Sequence, residues 1–80
     1  MNDTELFQHI EKLVQEEHEL TQHAEGVGLD DEQRARMKQL EVSLDQCWDL
    51  LRQRRARRHA GLSPEEAKVR DPEIVEHYQQ

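Results

Sequence analysis

Five arginines within seven residues form the strongest concentration of charge in the sequence. They are Arg52, Arg54, Arg55, Arg57 and Arg58, named the arginine cluster below. Guanidinium groups bind phosphates, so one interpretation is a site for RNA, DNA or another polyanion. The other is ion pairing with acidic segments of the same chain or of a second subunit, together with compensation of a helix dipole. No aromatic residue is interleaved with the arginines, which favours the ion-pair interpretation.

Side chains that could serve catalysis or metal binding are present, but their spacing is unfavourable. The five histidines are His9, His18, His23, His59 and His77. None follows a glutamate by three residues, which is the spacing of metal sites in helical bundles. No glycine-rich phosphate loop, nucleophile elbow or cysteine pair occurs. We therefore expect no catalytic residue, no metal site, no cofactor and no enzymatic activity.

Three features of the predicted helix surfaces have alternative interpretations. Glu17 interrupts an apolar stripe; it is either hydrated or buried beside Lys38 or Arg36. Trp48 is interpreted as a packing anchor at a helix interface rather than a platform for ligand stacking. An acidic stripe is expected to be solvated or paired with arginines of another chain. Its members are Glu41, Asp45 and Asp49.

Two long helices are predicted from capping signals and apolar periodicity. The first spans about residues 4–25; Asn2 and Glu5 have the spacing of a capping box at its start. The second spans about residues 31–60 and begins after a similar pair, Asp30 and Gln33. Apolar residues recur at intervals of three and four along both helices, which indicates amphipathic helices. Glycines follow each helix, where a left-handed residue ends it.

Two short helices are predicted in the C-terminal tail. Ser63 followed by Pro64 starts one over about residues 64–69, and Asp71 followed by Pro72 starts another over about residues 72–78. The second carries Tyr78 and two aliphatic residues that could dock on the long helices.

The predicted fold class is all-α, with a single domain over residues 1–80. A short link between two long amphipathic helices implies an antiparallel helical hairpin, here with a short helical C-terminal tail. Because the first helix is predicted to be the shorter, the end of the second, with the arginine cluster, must project past the first helix or be covered by the tail.

The chain has a small supply of core residues for its length. Of 80 residues, 34% are apolar and 36% are charged, and only three are aromatic. Cys47 is the only cysteine, so no disulfide can form within the chain, and a thiol on an apolar stripe is usually a small core residue. Self-association is a common alternative for such small domains. We expect a homodimer with an antiparallel four-helix arrangement.

The charge is unevenly distributed along the chain. Residues 1–32 carry −9, residues 33–60 carry +5 and residues 61–80 carry −3, for a net charge of −7. An acidic protein is a poor general binder of nucleic acid. The N-terminus lacks the basic and apolar segments of a signal peptide, and no apolar run could span a membrane. A cytoplasmic protein without membrane association is expected.

The second predicted helix contains the run Leu44-Asp45-Gln46-Cys47-Trp48-Asp49-Leu50-Leu51-Arg52-Gln53-Arg54-Arg55-Ala56. This run resembles the signature of a family of short actinobacterial proteins, domain of unknown function 2630. The opening Asn2-Asp3-Thr4-Glu5-Leu6-Phe7 and the tail from Ala60-Gly61-Leu62 through Val69-Arg70 to Tyr78 are also similar to that family. The resemblance covers nearly the whole chain. It implies a stand-alone cytoplasmic protein of a high-GC Gram-positive bacterium and supplies no activity.

A weaker likeness to helical chorismate mutases is discounted. Leu44-Asp45, Leu50-Leu51 and Arg54-Arg55 mimic part of their pattern. That active site needs several separated basic residues facing one pocket, and Lys12 is the only lysine or arginine before Arg34.

The leading functional hypothesis is a non-enzymatic protein–protein interaction or regulatory module that acts as a homodimer on an unknown protein partner. The alternative is a nucleic-acid-associated protein that uses residues Arg52 to Arg58. A small helical enzyme or metal-binding bundle ranks third.

Overall fold

The computed structural model describes residues 2–78, with side chains for residues 2–75. Two long helices, α1 (Asp3–Val27) and α2 (Asp31–His59), are followed by one 3₁₀ turn (Pro64–Glu66) and a short helix, α3 (Pro72–Tyr78). Across residues 2–78 there is no strand. The predicted all-α helical hairpin with a short helical tail is confirmed. The predicted docking role of the Tyr78 side chain lies outside the described side chains.

Both predicted capping boxes form at the helix starts. The Asn2 side chain accepts from the amide of Glu5 at 2.8 Å, and the Glu5 carboxylate accepts from the amide of Asn2 at 3.3 Å. Asp30 and Gln33 repeat the arrangement at 2.8 and 3.0 Å. Gly28, with φ of 76°, turns the chain after α1, a conformation that glycine adopts without steric cost. These local bonds satisfy helix-end amides that would otherwise have no partner.

The hairpin core comes from the predicted apolar stripes. Its buried residues are Leu6, Ile10, Leu13, Leu40, Leu44, Cys47, Leu50 and Leu51. Leu20, closer to the turn that joins the helices, is only partly buried. The core is therefore concentrated at the end of the hairpin that is far from this turn. Each fully buried leucine contributes about 2 kcal/mol of hydrophobic stabilisation.

Residues 60–71, named the strap below, run back along α2 after its end. Gly61 has φ of 74° and Leu62 donates its amide to the Arg57 carbonyl at 2.7 Å, so the chain reverses there. The strap contains only the single turn Pro64–Glu66, not the predicted helix over residues 64–69. Ser63 makes no capping bond, and Ala67 is already extended. The extended backbone leaves two strap carbonyls available to side chains of α2.

The end of α2 is covered rather than exposed as an overhang. The helices differ by less than predicted, with 25 residues in α1 and 29 in α2. Asp3, in the first turn of α1, contacts both Arg54 and Arg58. The strap lies against the same part of α2, where the Pro64 carbonyl accepts from Arg54 at 3.2 Å. Thus both the first helix and the tail contact the arginine cluster, in which Arg54 is buried and Arg55 stays exposed.

Candidate functional site

Four members of the arginine cluster form ion pairs with carboxylates within the chain. Arg54, which is only 3% exposed, donates from Nε to Asp3 at 2.5 Å, and Arg58 donates to the other oxygen of the same carboxylate at 2.5 Å. Hydrogen bonds from these two guanidinium groups lower the pKa of Asp3. Arg57 donates to Glu66 and to the Ser63 carbonyl, each at 2.5 Å. The cluster therefore joins α1, α2 and the strap.

A buried carboxylate, Asp49, anchors the strap to α2. The side chain is 0% exposed, and the Arg70 guanidinium holds both of its oxygens, with Nε to Oδ2 at 2.8 Å. Gln53 donates to Oδ2 at 3.0 Å, and Arg52 lies 3.7 Å from Oδ1. Bonding to Arg70 is the main reason that the pKa of Asp49 falls below its ordinary value. The expectation of a solvated or intermolecularly paired acidic stripe is wrong for Asp49, because the strap crosses α2 there.

Most of the contacts with the strap lie along one side of α2. Besides Arg54, which donates to the Pro64 carbonyl, four side chains at intervals of three, four and four residues reach strap groups. They are Gln46, Asp49, Gln53 and Arg57. Gln46 donates to the Arg70 carbonyl at 3.1 Å and Gln53 to the Lys68 carbonyl at 2.8 Å. Such spacing keeps residues on one helix face. This side of the hairpin is named the strapped flank below.

A pocket of about 360 Å³ lies between α1, α2 and the strap. Its lining is Leu6, His9, Ser43, Gln46, Cys47, Leu50, Ala67 and Val69. Burial raises the pKa of the Cys47 thiol, so the thiol stays protonated at neutral pH and is a poor nucleophile. Among the described residues, no group of three or more His, Cys, Asp or Glu side chains is placed to hold a metal ion.

The opposite side of the hairpin exposes apolar side chains. Phe7, Val14 and Trp48 are 46%, 44% and 42% exposed. His9 marks the pocket side of α1, and at 3.6 residues per turn Phe7 and Val14 lie on the other side of the buried stripe. By the same periodicity Trp48 lies on the side of α2 away from Gln46. These three residues therefore share one side, named the open flank below.

Two exposed charges accompany Trp48 along α2 on the open flank. Glu41 precedes it by seven residues and Arg55 follows it by seven, and both are exposed. Residues seven apart return to nearly the same side of a helix. The open flank thus carries an acid, a tryptophan and a base in one line. Sequence reasoning identified Trp48 and Arg55 separately and missed their common line with Glu41, although the spacing was readable.

The predicted neighbourhood of Glu17 is only partly as expected. Arg36 pairs with the preceding residue, Glu16, through Nε at 2.5 Å and NH2 at 2.8 Å, and this bonding lowers the pKa of Glu16. Glu17 is half-buried. The interpretation that put this part of α1 beside Lys38 or Arg36 agrees with the Glu16–Arg36 contact, although the paired carboxylate is that of Glu16.

Comparison with known proteins places the chain in a family. The model of the family described as "Protein of unknown function (DUF2630)" matches residues 2–80. This chain is a DUF2630 protein. It is 46% identical over 77 residues to uncharacterized proteins of Mycobacterium bovis and of two Mycobacterium tuberculosis strains, covering 95% of this chain and 88% of each relative. No solved structure matches it. The resemblance inferred from the sequence is confirmed.

Within residues 2–78, no helix combines the length and apolar character required to cross a membrane.

Proposed function

We propose that this DUF2630 protein is a non-enzymatic protein-interaction module that works as a homodimer in the cytoplasm and presents charged surfaces to a protein partner. The observation that carries the proposal is the open flank, where Phe7, Val14 and Trp48 remain exposed on two rigid helices. Contiguous exposed apolar side chains bordered by charge mark protein interfaces more often than they mark ordinary surface.

The energetics of a short chain support self-association. Small domains bury a modest fraction of their surface and gain little stability from one core. Here the buried core is limited to one end of the hairpin, and the largest side chain in the protein, Trp48, contributes little to it. Tryptophan is enriched among the residues that dominate binding energy at interfaces. Covering the open flank would therefore bury apolar surface of three side chains, including the tryptophan.

The nucleic-acid alternative loses support from the geometry of the arginine cluster. Arg54, Arg57 and Arg58 already donate to carboxylates of the same chain. A phosphate would have to compete with those carboxylates in a protein whose net charge is −7, and acidic surface repels polyanions.

The oligomeric state tests the proposal directly. Sedimentation velocity and light scattering at micromolar concentration should show a dimer for the wild-type chain. Trp48→Ser should shift it to a folded monomer, with helicity checked by circular dichroism. Ile74→Ser is the matched control, because Ile74 is more accessible than Trp48, at 54% against 42% exposed, but lies on α3. This variant should leave the dimer intact. A wild-type chain that stays monomeric throughout this range contradicts the proposal.

Nucleic-acid binding is checked separately by fluorescence anisotropy with labelled DNA and RNA at low salt. We expect no saturable binding. Binding that weakens steeply with salt and is lost in Arg55→Glu would favour the alternative function instead.

A further inference from the structure

We propose that the second copy docks on the open flank in antiparallel orientation, with the two α2 helices crossing at Trp48 about a two-fold axis. This inference rests on the proposed homodimer and adds its interface and geometry. The carrying observation is the line of exposed residues Glu41, Trp48 and Arg55 at intervals of seven on α2.

The order of charges along this line makes it complementary to itself in one orientation. In an antiparallel pair centred on Trp48, a residue that precedes Trp48 by seven meets the residue that follows it by seven in the other copy. Glu41 of each copy therefore meets Arg55 of the other, and the two Trp48 side chains meet at the axis. A parallel pair would place Glu41 against Glu41 and Arg55 against Arg55. Like charges across an interface select against that arrangement.

A second pair of charges near the axis follows the same rule. Asp45 precedes Trp48 by three residues and Arg52 follows it by four. In the antiparallel pair the position opposite Asp45 is residue 51 of the other copy, one residue from Arg52. Asp45 of each copy therefore lies close to Arg52 of the other. Both are at least partly accessible in the single chain, and Arg52, which also lies 3.7 Å from Asp49 Oδ1, would be shared between that carboxylate and Asp45 of the other copy.

Apolar residues of α1 extend the centre of the same surface. Asp3 contacts Arg54 and Arg58, and Glu16 contacts Arg36. Interpolation between these contacts along the axis of the hairpin puts Phe7 at about the same level as Trp48. It puts Val14 at about the same level as Glu41. The interface then has an apolar centre and a charged rim, which is the usual anatomy of specific protein interfaces.

The opposite side of α2 is not available to a second copy. Gln46, Asp49 and Gln53 are engaged there by the strap. Along this part of α2, a helix of the second copy can dock on the open flank. Docking on the opposite side would displace the strap.

Charge reversal tests the proposed pairing by sedimentation equilibrium. Glu41→Arg and Arg55→Glu should each weaken dimerisation at least about tenfold, because each places two like-charge pairs in the interface. The double variant Glu41→Arg/Arg55→Glu restores both attractive pairs and should recover most of the wild-type affinity. In a parallel dimer Glu41→Arg would replace a Glu–Glu repulsion with an Arg–Arg repulsion, and Arg55→Glu would do the reverse. The affinity would then change little in the single variants, and the double variant would not raise it.

Control variants and outcomes separate this inference from the proposal that the protein dimerises. Glu19→Arg and Lys12→Glu make the same changes of charge at exposed positions of α1 that point away from Phe7 and Val14, and they should leave the affinity unchanged. A dimer that is insensitive to Glu41→Arg and Arg55→Glu overturns the antiparallel interface and leaves the homodimer standing. A wild-type monomer overturns both.

Disulfide trapping gives a second measurement that does not depend on affinity. In a Cys47→Ser background, Glu41→Cys/Arg55→Cys should form covalent dimers under mild oxidation, because the new thiols meet across the axis. Glu41→Cys alone should not. Efficient trapping of Glu41→Cys alone would show a parallel pair and contradict the inference.

Discussion

Trp48 and Asp49 are neighbours in the sequence of α2 and lie on opposite flanks of the hairpin. The tryptophan is 42% exposed, whereas the carboxylate is completely buried. Residue polarity alone would predict the reverse. Asp49 is buried because the strap supplies the Arg70 guanidinium and Gln53 supplies an amide. Trp48 is exposed because the described chain has one strap and it crosses the other flank. The comparison teaches that charged contacts hold the strapped flank together, whereas Trp48, Phe7 and Val14 of the open flank stay exposed in the single chain.

The largest expected effect is on the strapped flank. Arg70→Met should lower the free energy of unfolding by about 3 kcal/mol, because it leaves the Asp49 carboxylate buried without its main partner. Urea unfolding at fixed protein concentration measures the loss.

The control for that change is Arg34→Met. Arg34 and its partner Asp31 are both well exposed, so this variant should cost less than about 0.5 kcal/mol. Equal losses of unfolding free energy in Arg70→Met and Arg34→Met would show that the buried Asp49 carboxylate does not hold the strap. The strapped flank would then not be held by its buried charge.

The next effect comes from the helix that follows the strap. Val75→Ala should cost about 2 kcal/mol, since Val75 is completely buried and loses two methyl groups. Its neighbour Ile74 is exposed, and Ile74→Ala should cost less than about 0.5 kcal/mol. Thermal unfolding distinguishes the two. Similar shifts in melting temperature would mean that α3 is not packed against α2 in solution.

A smaller effect should appear in the pH dependence of stability. The pKa of Asp49 is lowered in the folded chain, so its stabilisation is present above the unfolded carboxyl pKa, near 3.9, and is lost as pH falls through the folded pKa. In Arg70→Met the unpaired carboxylate gains by protonation. The difference in unfolding free energy between wild type and Arg70→Met should therefore shrink from pH 7 towards pH 3. A difference that does not change with pH would contradict the ion-pair account.

Local and long-range signals in the sequence differed in what they could predict. Both capping boxes and both glycine stops depend on residues within a few positions of each other, and they placed the long helices within two residues of their observed ends. The apolar stripes predicted the core because their periodicity is also local. The arginine cluster was recognised as a site, but its carboxylate partners were not, because Asp3 lies more than 50 residues away in the chain.

The path of the strap could not be predicted for a similar reason. Asp49 and Arg70 are 21 residues apart, and no spacing rule links a helix residue to an extended segment. The serine and proline that signal a helix at residue 64 were outweighed, since extended backbone after Glu66 lets strap carbonyls accept from Gln46 and Gln53. Tertiary hydrogen bonds overrode local propensity there.

The smallest expected effect is on the chemistry of the buried thiol. Cys47 lines the pocket beneath the strap, so its reaction with a disulfide reagent should depend on strap opening. Arg70→Met should speed labelling severalfold at neutral pH, whereas Trp48→Ser on the open flank should not. Equal rates in all three proteins would mean that the strap does not protect the thiol.

The spacing of the four strap anchors also has a consequence for the order of folding. Gln46, Asp49, Gln53 and Arg57 are on one side only when α2 is helical. In an unfolded chain they offer the strap no continuous surface, so the strap can dock only after this part of α2 has formed. The strap's partners on α2 lie 6 to 24 residues away in the chain, whereas Asp3 and the arginines that it binds are more than 50 residues apart. Contacts near in sequence form fastest, so we expect the strap to dock on α2 before the far end of the hairpin closes.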